Sequence, residues 1–110
     1  MTRESLVARH SKPLADGTQA LDTEAIKRLA AALPDWKVVN KELTRTFSFK
    51  NYHETMAFVN AVAWVAHRED HHPDMAVGYN RCTVRYSTHS VGGLSENDFI
   101  CAAKVDALMQ

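Results

Sequence analysis

From residue 22 onward, apolar side chains recur first at helical spacing, then in alternation, then at helical spacing again. Asp22 or Thr23 can cap a first helix, and Ile26, Leu29, Ala30 and Leu33 repeat at i, i+3, i+4 and i+7 until Pro34 ends the stripe. Trp36 to Val39 is a short apolar run, Asn40-Lys41 reads as a turn, and residues 43–49 alternate. Leu43, Phe47 and Phe49 share one face, with Thr44, Thr46 and Ser48 on the other and Arg45 breaking the apolar side. This pattern predicts a hairpin. Asn51, with Glu54 three residues on, opens a second helix that the pattern carries to about Asp70. Its apolar positions cover two sides, Met56, Val59, Ala63 and Ala66 on one and Phe58, Val62 and Val65 on another, which predicts burial on both, one side against the sheet and the other against a neighbouring element or subunit.

Pro73 stops that helix, because the residue before proline is pushed toward extended geometry. Residues 75–79 form a strand candidate, Asn80-Arg81 a turn, and Cys82, Val84 and Tyr86 alternate with Thr83, Arg85 and Ser87 in a fourth strand. Gly92-Gly93 reads as a loop, and Ser95 caps a third helix with Ile100, Ala103 and Ala107 on one face. The predicted order is α-β-β-α-β-β-α: an α+β, two-layer sandwich with a four-stranded antiparallel sheet and three helices on one face. Residues 1–20 show no clear period and carry the turn signals Lys12-Pro13 and Asp16-Gly17, so they read as a loose N-terminal leader before one domain, 21–110.

Charge narrows the function classes. Thirteen basic and thirteen acidic residues cancel, leaving no basic field for nucleic acid and no polybasic membrane anchor. No window approaches a membrane span. Cys82 and Cys101 have no metal-type spacing and read as reduced, buried thiols of a cytoplasmic protein.

Candidate chemistry lies in the histidines, four of which fall between positions 67 and 89. On a continued helix His67 and His71 would sit about 40° apart on one face, while Pro73 turns His72 away. His89 falls at the end of the fourth strand, before the Gly-Gly loop. Imidazole exchanges protons near neutrality, so several around one pocket can divide acid and base roles. Simpler readings stand beside this one. The His71-His72 pair could merely cap a helix end, and Ser95-x-x-Asp98 is a helix start in its own right. His67 and His71 also have the i, i+4 spacing of a two-histidine zinc pair, although the intervening residues lack the His-Glu-x-x-His pattern. His10 and His53 have no supporting neighbours and read as surface residues.

Together, Leu33-Pro34-Asp35-Trp36, Phe47-Ser48-Phe49-Lys50-Asn51-Tyr52, His71-His72-Pro73, Tyr79, Thr88-His89, Gly92-Gly93-Leu94-Ser95 and Asp98 resemble the pterin-4a-carbinolamine dehydratase family, over about residues 22–108. The resemblance implies a hydro-lyase that dehydrates 4a-hydroxytetrahydrobiopterin to the quinonoid dihydropterin by histidine acid–base catalysis, in tetrahydrobiopterin recycling, with no cofactor and no metal. It implies His71, His72 and His89 as catalytic, with Asp98 supporting them. His67, a turn before His71, is a further supporting candidate, and Tyr79 and Thr88 are substrate-contacting candidates. The expected partners are the small pterin substrate and further copies of the chain, as homodimer or homotetramer, with a pathway link to an aromatic amino-acid hydroxylase. The resemblance also admits a different class: a protein-binding, assembly or transcriptional cofactor, as in members that serve a homeodomain transcription factor. Two departures stand out. His67 occupies a position where many members carry a carboxylate, and Met75 one where an aromatic is frequent.

Overall fold

In the computed structural model, which describes residues 1–110, the chain forms four helices and four strands. The helices are α1 (Arg3–Val7), α2 (Thr23–Ala30), α3 (Tyr52–Glu69) and α4 (Glu96–Ala107). The strands are β1 (Lys37–Val39), β2 (Glu42–Ser48), β3 (Asp74–Val77) and β4 (Arg81–Tyr86). A single 3₁₀ turn, His89–Val91, precedes α4. All strand pairs are antiparallel, in the order β1-β2-β4-β3. The α+β sandwich and its four-stranded antiparallel sheet are therefore as the periodicity predicts, but there are four helices rather than three, and the order gains α1 at its start.

The extra helix has a local cause. Thr2 and Ser5 form a reciprocal capping box, and the turn it starts buries Leu6 completely against the core. A five-residue helix is marginal alone, so packing against α4 stabilises it. So short a run has no period for sequence analysis to detect.

Pairing register explains the sheet's two faces. Leu43↔Tyr86, Arg45↔Val84 and Phe47↔Cys82 lie on the face that meets the helices, and all but Arg45 are buried. The Asn40-Lys41 turn has positive φ at both residues, 51° and 64°, the geometry of a two-residue hairpin. β3 ends at Val77, two residues short of the expectation, and β4 begins at Arg81. Gly78 N–H closes the intervening loop onto the Arg81 carbonyl at 2.8 Å.

Arg45, the break in the apolar face, has a buried partner. Its guanidinium reaches Asp106 Oδ1 at 2.6 Å and lies 4.3 Å from the Phe47 ring centroid. Trp36 Nε1 donates to the same oxygen at 2.8 Å. A buried carboxylate without such partners would be strongly destabilising.

Within the chain, the helix covered on several sides is α4. Positions 97–103, 105 and 106 of α4 are all buried. In α3 only Thr55, Phe58, Val62 and Glu69 are, while Trp64 is 61% exposed. The N-terminal residues cover the outer side of α4, and they carry no periodic signal that would predict it. No helix is long and apolar enough to cross a membrane.

Candidate active site

α3 ends at Glu69, about where its pattern carries it, and Asp70 caps it. Asp70 takes the left-handed conformation (φ 49°), and the His71 N–H bonds back to the Ala66 carbonyl at 3.2 Å. This cap terminates the helix before Pro73 can. His71 therefore leaves the helix along with His72, correcting the expectation that His71 shares a face with His67. The i, i+4 pair that a zinc reading needs is not formed, and no group of three or more His, Cys, Asp or Glu side chains is placed to hold a metal ion. His67 is exposed, its ring centroid 5.3 Å from that of Trp64, and it does not line the cleft around His71.

His71 instead meets α4. Its Nε2 lies 2.6 Å from Asp98 Oδ1. Asp98 is fully buried, and its Oδ2 accepts from Thr88 Oγ1 at 2.8 Å and from the Ser95 N–H at 2.9 Å. Because Thr88 gives its hydrogen to Asp98, its oxygen can accept from Ser95 Oγ, 2.7 Å away. The His71 ring stacks on Tyr86, at 5.7 Å between centroids and 13° between planes. Burial pushes the Tyr86 phenol far above its ordinary range, and Cys101 and Asp98 add to the shift, so the ring stays neutral. The imidazole is thus held by a carboxylate at one nitrogen and a flat, uncharged surface beneath. A carboxylate accepting from Nε2 places the ring hydrogen there and leaves Nδ1, which has no hydrogen bond within the protein, free to exchange a proton.

His89 arrives from the other side. Thr88 and Gly93 pair across the loop, Thr88 N–H to the Gly93 carbonyl at 2.8 Å, and Gly92 takes a positive φ of 67° to close the 3₁₀ turn. His71, His72 and His89 then line one cleft of about 240 Å³, together with Arg85 and Ser87 from the end of β4. A cleft walled by three imidazoles, with no hydrophobic side chain, suits a small polar molecule that must gain and lose protons.

The structure brings together His71, His72, His89, Thr88 and Asp98, but not His67 or Tyr79. Tyr79 sits in the β3–β4 loop, 67% exposed, and its carbonyl accepts from Thr55 Oγ1 near the start of α3. β3 leads away from His71 and Pro73, so Tyr79 lies at the opposite end of the sheet despite its closeness in sequence. Thr88 lines the cleft, but its hydroxyl is engaged with Asp98 and Ser95. Asp98 both accepts at the start of α4 and hydrogen-bonds the His71 imidazole, so its place at the helix start does not exclude contact with His71. Sequence reasoning missed Arg85, Asp70 and Asp74 in the cleft wall. Arg85 was detectable as the cation on the polar side of an alternating strand. It also missed Glu69 and Asn97, which bury polar groups against the N-terminal segment.

These elements define a class: a small α+β sandwich presenting a carboxylate-held histidine and two further imidazoles at the sheet's end. Residues 19–108 match the family model described as "Pterin 4 alpha carbinolamine dehydratase". A Nitrosospira multiformis protein named "Putative pterin-4-alpha-carbinolamine dehydratase" is 55% identical over 99% of this chain and 96% of its own. A Nitrosomonas europaea protein of the same name is 58% identical over 96% and 94%. Among solved structures, a transcriptional coactivator/pterin dehydratase from Brucella melitensis superposes with a TM-score of 0.80 at 32% identity, over 84% of this chain and 100% of that one. A pterin dehydratase-like protein described as a RuBisCO assembly factor in the alpha-carboxysome aligns with a TM-score of 0.55 at 27% identity, over 66% and 84%. The chain belongs to the pterin-4a-carbinolamine dehydratase family.

Proposed function

We propose that this protein is a hydro-lyase that dehydrates a 4a-hydroxytetrahydropterin to the quinonoid dihydropterin. The observation that carries the reading is the convergence of His71, His72 and His89 on one polar cleft, with His71 held by buried Asp98. Loss of water from C4a needs a proton delivered to the leaving hydroxyl and one removed from a ring nitrogen. His71 and His89 share these two steps, and His72 orients the ring. The Asp98 carboxylate keeps His71 in the tautomer whose Nδ1 faces no competing protein partner, and Thr88 keeps Asp98 in place. Proton transfer by positioned side chains contributes roughly 10²–10⁴-fold, enough for a reaction that already proceeds in water. The direct test is a dehydratase assay on enzymatically generated carbinolamine, with His89→Ala as control. An inert protein that holds a stable macromolecular partner would instead favour a binding role.

The same proposal places the protein in the cytoplasm, consistent with two free, buried thiols. It also makes the substrate the product of an aromatic amino-acid hydroxylase. Self-association is part of it: β1 and β3 are both sheet edges, Val39 on β1 and Val77 on β3 are about half exposed, and α3 exposes Tyr52 and Trp64.

A further inference from the structure

His71 and Asp98 meet across a gap between two helices. Asp98 sits in the first turn of α4, and His71 follows the left-handed cap of α3 in a stretch, 71–73, that is neither helix nor strand. The His71 N–H ties it to α3 through the Ala66 carbonyl, and the Ser95 N–H ties Asp98 to the start of α4. Neither of these bonds crosses from α3 to α4, so neither sets the 2.6 Å between His71 Nε2 and Asp98 Oδ1.

The neighbours of both residues reach instead to the N-terminal segment. Glu69, two residues before His71, accepts from the Ser11 N–H at 2.7 Å, and its other oxygen meets His10 Nδ1 at 3.1 Å. Asn97, directly before Asp98, accepts from the Lys12 N–H at 3.0 Å and donates to the Lys12 carbonyl at 2.8 Å. Ser11 and Lys12 are consecutive, so one short piece of main chain ties the end of α3 to the start of α4. Glu69 and Asn97 are each only 7% exposed. Burying a carboxylate and a carboxamide is costly unless they are bonded. Here both are spent on the main chain of a segment that lies outside the residues the family model matches. Lys104 of α4 adds a second tie, its Nζ donating to the Val7 carbonyl at 2.7 Å and lying 3.9 Å from Glu69.

We propose that Ser11 and Lys12 form a bracket that positions His71 on Asp98, with Glu69 and Asn97 as its two anchors. These are positioning residues, acting through the His71–Asp98 bond. The effect on rate rests on the dehydratase reading above; the effect on the imidazole does not. A hydrogen bond is lost once its atoms move beyond normal range, and a misplacement of about 1 Å at a reacting group can cost roughly 10²-fold. With the bracket released, the end of α3 and the start of α4 are free to separate. His71 then loses its fixed acceptor, and its hydrogen is no longer confined to Nε2.

The test makes two measurements on the full chain, native and with Glu69→Ala, Asn97→Ala, Glu69→Gln, Arg9→Ala or Val62→Ala. Nitrogen-15 spectra of the histidine rings at about pH 8, above the ordinary imidazole range, report which His71 nitrogen carries the hydrogen. Steady-state dehydration of the carbinolamine gives kcat and KM. In the native protein the hydrogen should lie on Nε2. Glu69→Ala and Asn97→Ala should each mix the two tautomers and lower kcat about 10-fold, with KM moving much less. Glu69→Gln keeps an oxygen for the Ser11 N–H and should recover most of both losses. Arg9→Ala cuts only the exposed pair with Glu96, and Val62→Ala opens a cavity further back on α3. Both should leave the tautomer and kcat as they are. An unmoved His71 tautomer in Glu69→Ala and Asn97→Ala, or an equal kcat loss in Val62→Ala, would overturn the bracket. A native protein that leaves the carbinolamine untouched would overturn the dehydratase reading alone, because the His71 spectrum still decides the bracket.

Discussion

Asp98 joins two parts of the molecule through one side chain: its Oδ1 lies 2.6 Å from His71 Nε2, and its Oδ2 accepts the Ser95 N–H at the start of α4. Asp98→Asn keeps the volume but presents an amide that cannot accept at both positions as a carboxylate does. His71 then loses the acceptor that sets its tautomer. We expect kcat to fall about 10²-fold or more, with a stability loss of roughly 1–2 kcal/mol from the weakened helix start. Steady-state kinetics and thermal melts on the same sample separate the two effects.

Tyr86 tests whether the stacked ring or its hydroxyl matters. The hydroxyl is buried and makes no hydrogen bond with the protein. Tyr86→Phe should therefore be neutral or stabilising by up to about 1 kcal/mol and should retain activity. Tyr86→Ala should cost about 3–5 kcal/mol and lower kcat by removing the surface under His71. A large activity loss in Tyr86→Phe would show that the phenol itself takes part.

Glu69 gives a pH signature. Burial raises its pKa, but the Ser11 N–H, His10 and Lys104 outweigh that and leave it below its ordinary value of 4.5. A carboxylate with a lowered folded-state pKa contributes stability above its unfolded value, and that contribution is lost as pH falls through the folded value. Glu69→Gln should therefore melt earlier than the native protein at pH 7, by about 1–2 kcal/mol of stability. The difference should shrink as pH drops below the ordinary value of 4.5 and on through the lowered folded-state value. Melting curves from pH 3 to 8 check this, and a gap that widens in acid would contradict it.

Both cysteines should be silent in the folded state. Burial pushes the Cys101 thiol up to about 12, with Glu69 and Asp98 adding to the shift, and burial also raises Cys82. Thiolate is the reactive form. A chromogenic disulfide reagent at pH 8 should label neither residue until denaturant is added, and both thereafter.

Much of this was legible in the chain because it is local. The alternation of residues 43–49 and 82–87 marks the central strands, and Asn40-Lys41 marks the hairpin that joins β1 to β2. His72 lies outside α3, as Pro73 leads one to expect, but the helix is ended by Asp70 and not by the proline. What failed was non-local or conformational. The left-handed Asp70 that releases His71 is of a residue type enriched in that state among non-glycines, but Asp also occurs widely elsewhere and, unlike glycine, does not by itself mark a helix end. Proximity in sequence suggested Tyr79 for the pocket, but a strand carries a residue about 3.3 Å per step away from its start. Leu6 and Ser11–Lys12 are ordered by α4 and the end of α3, which lie more than fifty residues further along the chain. Nothing in the leader's own pattern signals those partners.

The central claim is that His71 and His89 divide the acid and base steps. Stopped-flow measurement of carbinolamine dehydration by the native protein, His71→Ala and His89→Ala tests it most directly. Each single variant should lose about 10²–10⁴-fold in catalysed rate, approaching the spontaneous dehydration at the low end, with the fold intact by circular dichroism. Full activity in both variants would contradict the assignment.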